Sequence, residues 1–219
     1  MAVRILWHKC LDSTNSEVRR RISQLDNLSV TAAWSQSAGR GQADHKWHSA
    51  PGENLTFTLL LKFTPESPLK ARDSLLQKST PEFPLKARDA LLLTETITYA
   101  LREFLASEGV ISRIKWPNDI YVGELKICGI LIENILEGDD VAASIIGVGL
   151  NLNQTVFPPD IPNPTSLALL TGRSNSPEAA LEKLCGYIET SVELLRTPEG
   201  RERLDEYFNA HMFRRAPGD

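Results

Sequence analysis

Lys126-Ile127-Cys128-Gly129-Ile130-Leu131-Ile132-Glu133-Asn134-Ile135-Leu136-Glu137-Gly138-Asp139-Asp140-Val141-Ala142-Ala143-Ser144-Ile145-Ile146-Gly147-Val148-Gly149-Leu150-Asn151 is the stretch from which the fold is read. Residues 126–136 form one apolar, β-branched run and 141–150 another, with a Glu137-Gly138-Asp139-Asp140 turn between them. Two such runs joined by a short glycine turn predict an antiparallel hairpin. Just upstream, Ile111–Trp116 and Ile120–Val122 read as shorter strands, the second closed by a Gly123-Glu124 turn. Residues 30–36 and 54–63 add two more, the latter alternating at first and then continuously apolar, as in a central strand. Residues 3–10 supply a short first strand. Thr14 and Glu17 stand at capping-box spacing before Val18, Ile22 and Leu25, which predicts a helix from Thr14. Leu93, Ile97, Leu101, Phe104 and Leu105 predict a second, ending near Ala106 before Gly109. Ser176-Pro177-Glu178 opens a third, with Leu181, Leu184, Ile188, Val192 and Leu195 as its buried stripe, and a last helix runs from Pro198 to Met212. Strands interspersed with a few long helices, without regular βαβ alternation, point to an α+β fold: a mixed, largely antiparallel sheet with helices packed on it.

The 219 residues suffice for one large domain, or one domain with a small appendage. A net charge of −4 argues against a chain that binds DNA by electrostatics alone. Cys10, Cys128 and Cys185 are scattered and form no C-x-x-C pair, so neither a disulfide framework nor a zinc site is indicated. The start carries no apolar signal region and no run approaches the roughly 18 apolar residues of a membrane span. A soluble protein of a reducing compartment, the cytoplasm, is expected. Residues 64–79 and 80–95 form a direct tandem repeat of period 16: Thr-Pro-Glu-x-Pro-Leu-Lys-Ala-Arg-Asp-x-Leu-Leu occurs at 64–76 and again at 80–92. Two copies are too few for a solenoid. One copy is expected as a loop or short helical excursion, the other as the lead into the second helix. Residues 156–166, rich in proline, are expected as a surface loop.

The chemistry-bearing residues fall in clusters. Ser37-Ala38-Gly39-Arg40-Gly41-Gln42-Ala43-Asp44-His45-Lys46-Trp47 places two glycines around an arginine, with His45 and Lys46 close behind. Glycine lets backbone approach a ligand, and free N–H groups beside cations attract anions. The segment is neither a P-loop nor a dinucleotide fingerprint. From spacing alone it is either a loop that grips phosphate or carboxylate or a plain connection. Ser13, Thr14 and Asn15 at a helix start are either a cap or hydroxyl and amide groups facing a polar ligand. Pro117-Asn118-Asp119, Lys126 and Asn151 are each individually ordinary.

Taken in order, these pieces resemble the catalytic domain of biotin protein ligases, the biotin–[acetyl-CoA-carboxylase] ligases. The matching residues are Asp12-Ser13-Thr14-Asn15, Gln36-Ser37-Ala38-Gly39-Arg40-Gly41 with Trp47, Lys115-Trp116-Pro117-Asn118-Asp119, Lys126-x-x-Gly129-Ile130-Leu131-Ile132-Glu133 and Gly147-x-Gly149-Leu150-Asn151. They cover about residues 5–170. The resemblance implies the class II aminoacyl-tRNA synthetase-like fold of biotin and lipoate ligases. It implies ATP-dependent formation of biotinyl-5′-AMP, then acyl transfer to a lysine of a biotin carboxyl carrier protein of acetyl-CoA carboxylase or a related biotin carboxylase complex. By resemblance, Lys126 and Arg40 are catalytic, and Ser13, Thr14, Asn15, Gln36, Gly39, Arg40, Gly41, Gln42, Lys126 and Gly129 bind biotin. Trp47, Lys115, Asn118 and Asn151 bind the nucleotide, and Asp119 is the candidate ligand for Mg²⁺. A lipoate- or octanoate-activating enzyme and a non-catalytic biotin-binding module are the alternatives. Two departures stand out: Gln42-Ala43-Asp44-His45 occupies a stretch that is more basic in many relatives, and the tandem repeat is foreign to the family. Residues 1–213 are expected as the catalytic domain, without a DNA-binding domain before it. Residues 214–219 would begin a truncated or missing C-terminal small β domain. No DNA or membrane partner is expected; strands 126–136 and 141–150 could extend a sheet across a homodimer.

Overall fold

The computed structural model describes residues 3–42, 46–63 and 84–213. Seven strands form one sheet: β1 (Arg4–His8), β2 (Ser29–Ala33), β3 (Leu55–Lys62), β4 (Arg113–Lys115), β5 (Asp119–Val122), β6 (Leu125–Glu137) and β7 (Asp140–Leu150). Their order is β1-β2-β3-β7-β6-β5-β4. Only β1 and β2 run parallel, joined through helix α1 (Thr14–Arg20); every other neighbour is antiparallel. The expected mixed, largely antiparallel sheet is therefore observed, with one βαβ unit at its edge.

Strand alternation divides the sheet into two unlike faces. Val30, Phe57, Leu59, Leu61, Ile146, Val148, Cys128 and Ile130 point into the main core. There they meet α2 (Leu91–Ser107), α4 (Pro177–Leu195) and α5 (Pro198–Ala210), with a short helix α3 (Leu167–Thr171) ahead of α4. Leu93, Ile97, Leu101, Phe104 and Leu105 are buried, as their spacing predicts. The opposite face carries Thr56, Thr58, Gly147 and Gly149 beside an apolar patch of Leu60, Ala143 and Ile145. Helix α1 and the turn after it cover only part of it, through Val18 and Leu25 respectively, against Leu60, Ala143 and Ile145. The uncovered part, toward the C-terminal end of β7, is open for a ligand.

Several sequence expectations are corrected. The Thr14–Glu17 capping box does not form. Ser13 is the N-cap and makes no side-chain cap bond, while Glu17 pairs with Arg20 and Arg21. The cap is long-range: Gln36 Oε1 accepts from the Thr14 N–H at 2.8 Å. β7 lies inside the sheet between β3 and β6, and β6 is flanked by β5 over residues 125–129. β7 therefore cannot extend the sheet across a dimer. The last helix stops at Ala210, and Met212 then bridges to Ile114 beside β4. The first repeat copy and residues 80–83 of the second lie outside the described residues. The remainder of the second copy includes a 3₁₀ turn, Ala87–Asp89, and leads into α2, as expected. Phe63 and Leu85 bond to adjacent residues of β7: Phe63 N–H donates to Ala142 O and Val141 N–H to Leu85 O.

Candidate active site

The floor of the site is built by β6 and β7. Their register sets Gly129 opposite Gly149, Leu131 opposite Gly147 and Glu133 opposite Ile145. The glycines are there for space. A Cβ at Gly147 would lie 2.3 Å from Asn15 Oδ1, and one at Gly149 2.2 Å from Trp47 Cε2. A Cβ at Gly129 would come within 3.0 Å of Trp47 Cζ3 and 3.4 Å of Lys126 Nζ.

One wall is the amino end of α1, where Ser13, Thr14 and Asn15 are all buried. Asp12 fixes it, accepting from the Ser13 N–H at 2.8 Å and from both terminal nitrogens of Arg20 at 2.7 and 2.8 Å. The Arg20 fork holds the Asp12 carboxyl well below the usual carboxylate range. Thr58 Oγ1, from β3, is 2.8 Å from Thr14 Oγ1 and 2.6 Å from Asn15 Oδ1. Asn15 Nδ2 donates to Glu133 Oε2 at 2.8 Å.

The glycine segment supplies the second wall. Its neck is closed by the Trp47 N–H to Gly39 O bond (3.0 Å) and a bridge between Arg40 and Lys46. A side chain at position 39 would strike Trp47 O at 2.5 Å. Arg40 reaches Glu133 Oε2 at 2.9 Å. Beyond Trp47 the chain is pinned by Gln154 Oε1, which accepts from Ala50 N–H and Asn54 Nδ2.

Lys126 stands where the walls meet. Its backbone is gripped by residues 163–165: its N–H donates to Asn163 O (2.8 Å) and its O accepts from Thr165 N–H (2.9 Å). Its ammonium lies 2.8 Å from Asp119 Oδ1 and 6.0 Å from the Trp47 ring centre. The Asn118 side chain donates to Ile130 O at 2.5 Å, locking the turn before β5 onto β6. Burial pushes the thiol of neighbouring Cys128 upward, which leaves it an inert core residue.

Two adjoining cavities result. The first, about 200 Å³, is lined by Ser13, Thr14, Asn15, Gln36, Arg40, Gly41, Gln42, Asn118 and Gly129 among others. The second, about 560 Å³, is bounded by His48, Tyr121, Asn151 and the proline-rich segment through Phe157, Ile161 and Pro164. Lys46, Trp47, Asp119 and Lys126 line both. The proline-rich segment, expected as a plain surface loop, is thus a working wall.

Of the sequence candidates, Gly39 supports the site from beneath Trp47 instead of lining it. Lys115 is not brought in: its ammonium hydrogen-bonds Tyr121 Oη at 3.2 Å and sits 4.5 Å from that ring's centre. Sequence reading missed Thr58, Glu133 and Gln154 as parts of the site. Glu133 had a signal, since it shares strand parity with Gly129 and Leu131. Among the described residues no three His, Cys, Asp or Glu side chains gather as a metal cluster, so Asp119 is a single carboxylate.

Comparison with known proteins gives this geometry a context. Over residues 7–151 the chain matches the model of the biotin/lipoate A/B protein ligase family. It is 32% identical over 164 residues to the bifunctional ligase/repressor BirA of Bacillus subtilis, covering 74% of this chain and 44% of that protein. It is 30% identical over 180 residues to the biotin–[acetyl-CoA-carboxylase] ligase of Paracoccus denitrificans, covering 79% and 66%. The chain therefore spans less than half of the first relative's length. Its fold superimposes with a TM-score of 0.74 on the Aquifex aeolicus biotin protein ligase solved with biotin and ATP, at 24% identity, covering 96% of this chain and 78% of that one. The expected synthetase-like α+β architecture is therefore the observed one. With the family model spanning more than half of the sequence, the chain belongs to the biotin/lipoate A/B protein ligase family.

Proposed function

We propose that this chain is an ATP-dependent biotin protein ligase. It would join biotin to AMP as biotinyl-5′-AMP and pass the acyl group to a lysine of a biotin carboxyl carrier protein, in the cytoplasm. The observation that carries this reading is the pair of cavities with Lys126 at their junction. A carboxylate seated in the first cavity and the α-phosphate of a nucleotide in the second would meet beside that ammonium. Aqueous repulsion between two anions is the main obstacle to their reaction, and a fixed cation lowers it. One oxygen of the biotin carboxylate attacks the α-phosphorus, the α–β anhydride bond breaks, and pyrophosphate leaves. A neutral carrier lysine then attacks the acyl carbon, and AMP departs with the bonding pair. The chain's part is to align, neutralise charge and exclude water.

Placement supports the following residue roles. Thr14, Asn15 and Gln36 present hydroxyl and amide groups suited to the donors and acceptor of a ureido ring. Trp47 offers an aromatic face between the cavities, and Asn151 reaches the second. Mg²⁺ would arrive on the phosphates, because it retains water and phosphate oxygens and needs only one or two protein carboxylates. Asp119 fits that limited part once Lys126 turns to the substrate; the ion would supply further charge neutralisation.

The test is transfer of labelled biotin to a carrier domain, with pyrophosphate release followed in parallel. ATP-dependent labelling is expected. Absence of both biotin binding and transfer would sink the reading. Because the matched family includes lipoate ligases, lipoate and octanoate belong in the same assay as competitors; faster turnover of either would reassign the acid.

A further inference from the structure

Among the described residues, Glu133 is the carboxylate whose hydrogen bonds reach both walls of the first cavity. Its Oε2 accepts from Asn15 Nδ2 at 2.8 Å and from Arg40 at 2.9 Å, while Oε1 meets Arg19 at 3.2 Å. It stands on β6 two residues beyond Leu131, on the cavity face, yet it does not itself line the cavity. Its partners are unlike. Asn15 is 3% exposed and wedged against Gly147, with Thr58 2.6 Å from its Oδ1. With Nδ2 held by an acceptor-only carboxylate, the amide has a single orientation. The Arg40 side chain is 44% exposed and free to swing. A half-exposed ion pair is weak and exchangeable, whereas an anion delivered into a partly desolvated cavity competes strongly for the same guanidinium.

We infer that Glu133 is a positioning residue: it fixes the Asn15 amide in the cavity wall and holds Arg40 at rest until an anionic substrate takes that guanidinium over. The inference rests on the function proposed above for the substrate's identity, though not for the resting contact. It separates two tasks within one carboxylate. The Asn15 contact persists through the cycle, and the Arg40 contact breaks when the acid's carboxylate and the nucleotide's phosphates fill the junction. Residues 37–42 then have a defined resting position, and part of the substrate's binding energy goes into releasing it.

The discriminating variant is Glu133→Gln, which keeps an acceptor for Asn15 Nδ2 and removes the charge that holds Arg40. Hydrogen–deuterium exchange in the ligand-free protein is expected to quicken about 3–10-fold over residues 37–42. With biotin saturating, KM for ATP is expected to fall about two- to fivefold, the range for relieving one half-exposed ion pair. Arg19→Ala, which removes the other partner of Glu133, is expected to leave exchange over 37–42 as in wild type. Unchanged exchange in Glu133→Gln, a KM for ATP equal to or above wild type, or equal loosening by Arg19→Ala overturns the inference. The exchange readout needs no turnover. Wild-type protein that neither binds biotin nor releases pyrophosphate would therefore refute the proposed function while exchange still decides the role of Glu133.

Discussion

Lys126 combines a rigid backbone with an ammonium that is about one-third exposed, held at rest by Asp119. Replacing it with alanine removes charge without opening the core. Lys126→Ala is expected to cut the rate of pyrophosphate release by about 10²–10³ while circular dichroism and melting stay near wild type. Equal turnover in the variant would exclude the catalytic assignment. Gly149 tests packing in the opposite sense. Its alanine variant would drive a methyl into the indole of Trp47, and neither β7 nor its neighbours can yield without breaking ladder bonds. Displacement of that ring is expected to raise KM for ATP at least tenfold, checked by steady-state kinetics. The glycines, the hydroxyl-amide trio of 13–15 and Lys126 were legible in sequence because each sits in a short local pattern. Thr58 and Gln154 were not. They act on Asn15 and Asn54 across 43 and 100 positions, and nothing local marks them.

Among the elements, α2 shows best where pattern reading succeeds and where it stops. Its apolar stripe fixed its length and buried face. Its polar residues gave no such guidance, because the helix is covered by α4 and α5 on sides that an amphipathic surface helix would leave wet. Glu95 is consequently 3% exposed, with one carboxylate oxygen lacking a hydrogen-bond partner among the described residues. Burial, with a smaller contribution from nearby Asp205, lifts its carboxyl from the usual 4.5 to about 7. The folded chain thus holds this proton more tightly than the unfolded one. The penalty for burying Glu95 is absent below about pH 4.5, grows from there to about 7, and is complete above it. Glu95→Gln is expected to stabilise the protein at pH 8 by about 1–3 kcal/mol relative to its effect at pH 5, by urea denaturation at both values. A pH-independent difference would show that Glu95 is ionised in the fold. The capping box failed for a related reason. Thr14 faces Thr58 in the cavity wall, and Gln36 from a distant loop took over its N–H. A local motif was outbid by tertiary contacts.

At the scale of the molecule, Phe63 and Leu85 are distant in sequence yet side by side on the sheet. Phe63 and Leu85 bond to neighbouring residues of β7, so the chain leaves and rejoins the same edge within one register step. Lys86 then pairs with Asp140 and continues the line that β3 had followed. Deleting residues 64–79, one copy of the repeat, still leaves four residues to join Phe63 to Pro84. Neither end need move, so the melting temperature is expected to stay within a few degrees and biotin binding to persist. A large loss of stability would mean that the repeat packs on the domain. The overall architecture was readable from strand and helix periods. The two-cavity division was not, because one of its walls is the proline-rich segment, whose composition says only that it lacks regular structure.

Trp47 gives the protein a native optical reporter. Its indole lies against the backbone of two glycines, with Nε1 buried and without a hydrogen-bond partner among the described residues, and the Lys126 charge is 6.0 Å from the ring. Trp7 and Trp34 stack on each other at 4.7 Å, and Trp116 is exposed, so the other three indoles respond to different surroundings. With those three replaced by phenylalanine, the emission maximum and lifetime of Trp47 would follow the movement of one ammonium between a carboxylate and a phosphate. The order in which acid and nucleotide arrive could then be followed in real time by stopped-flow fluorescence, without a label on either.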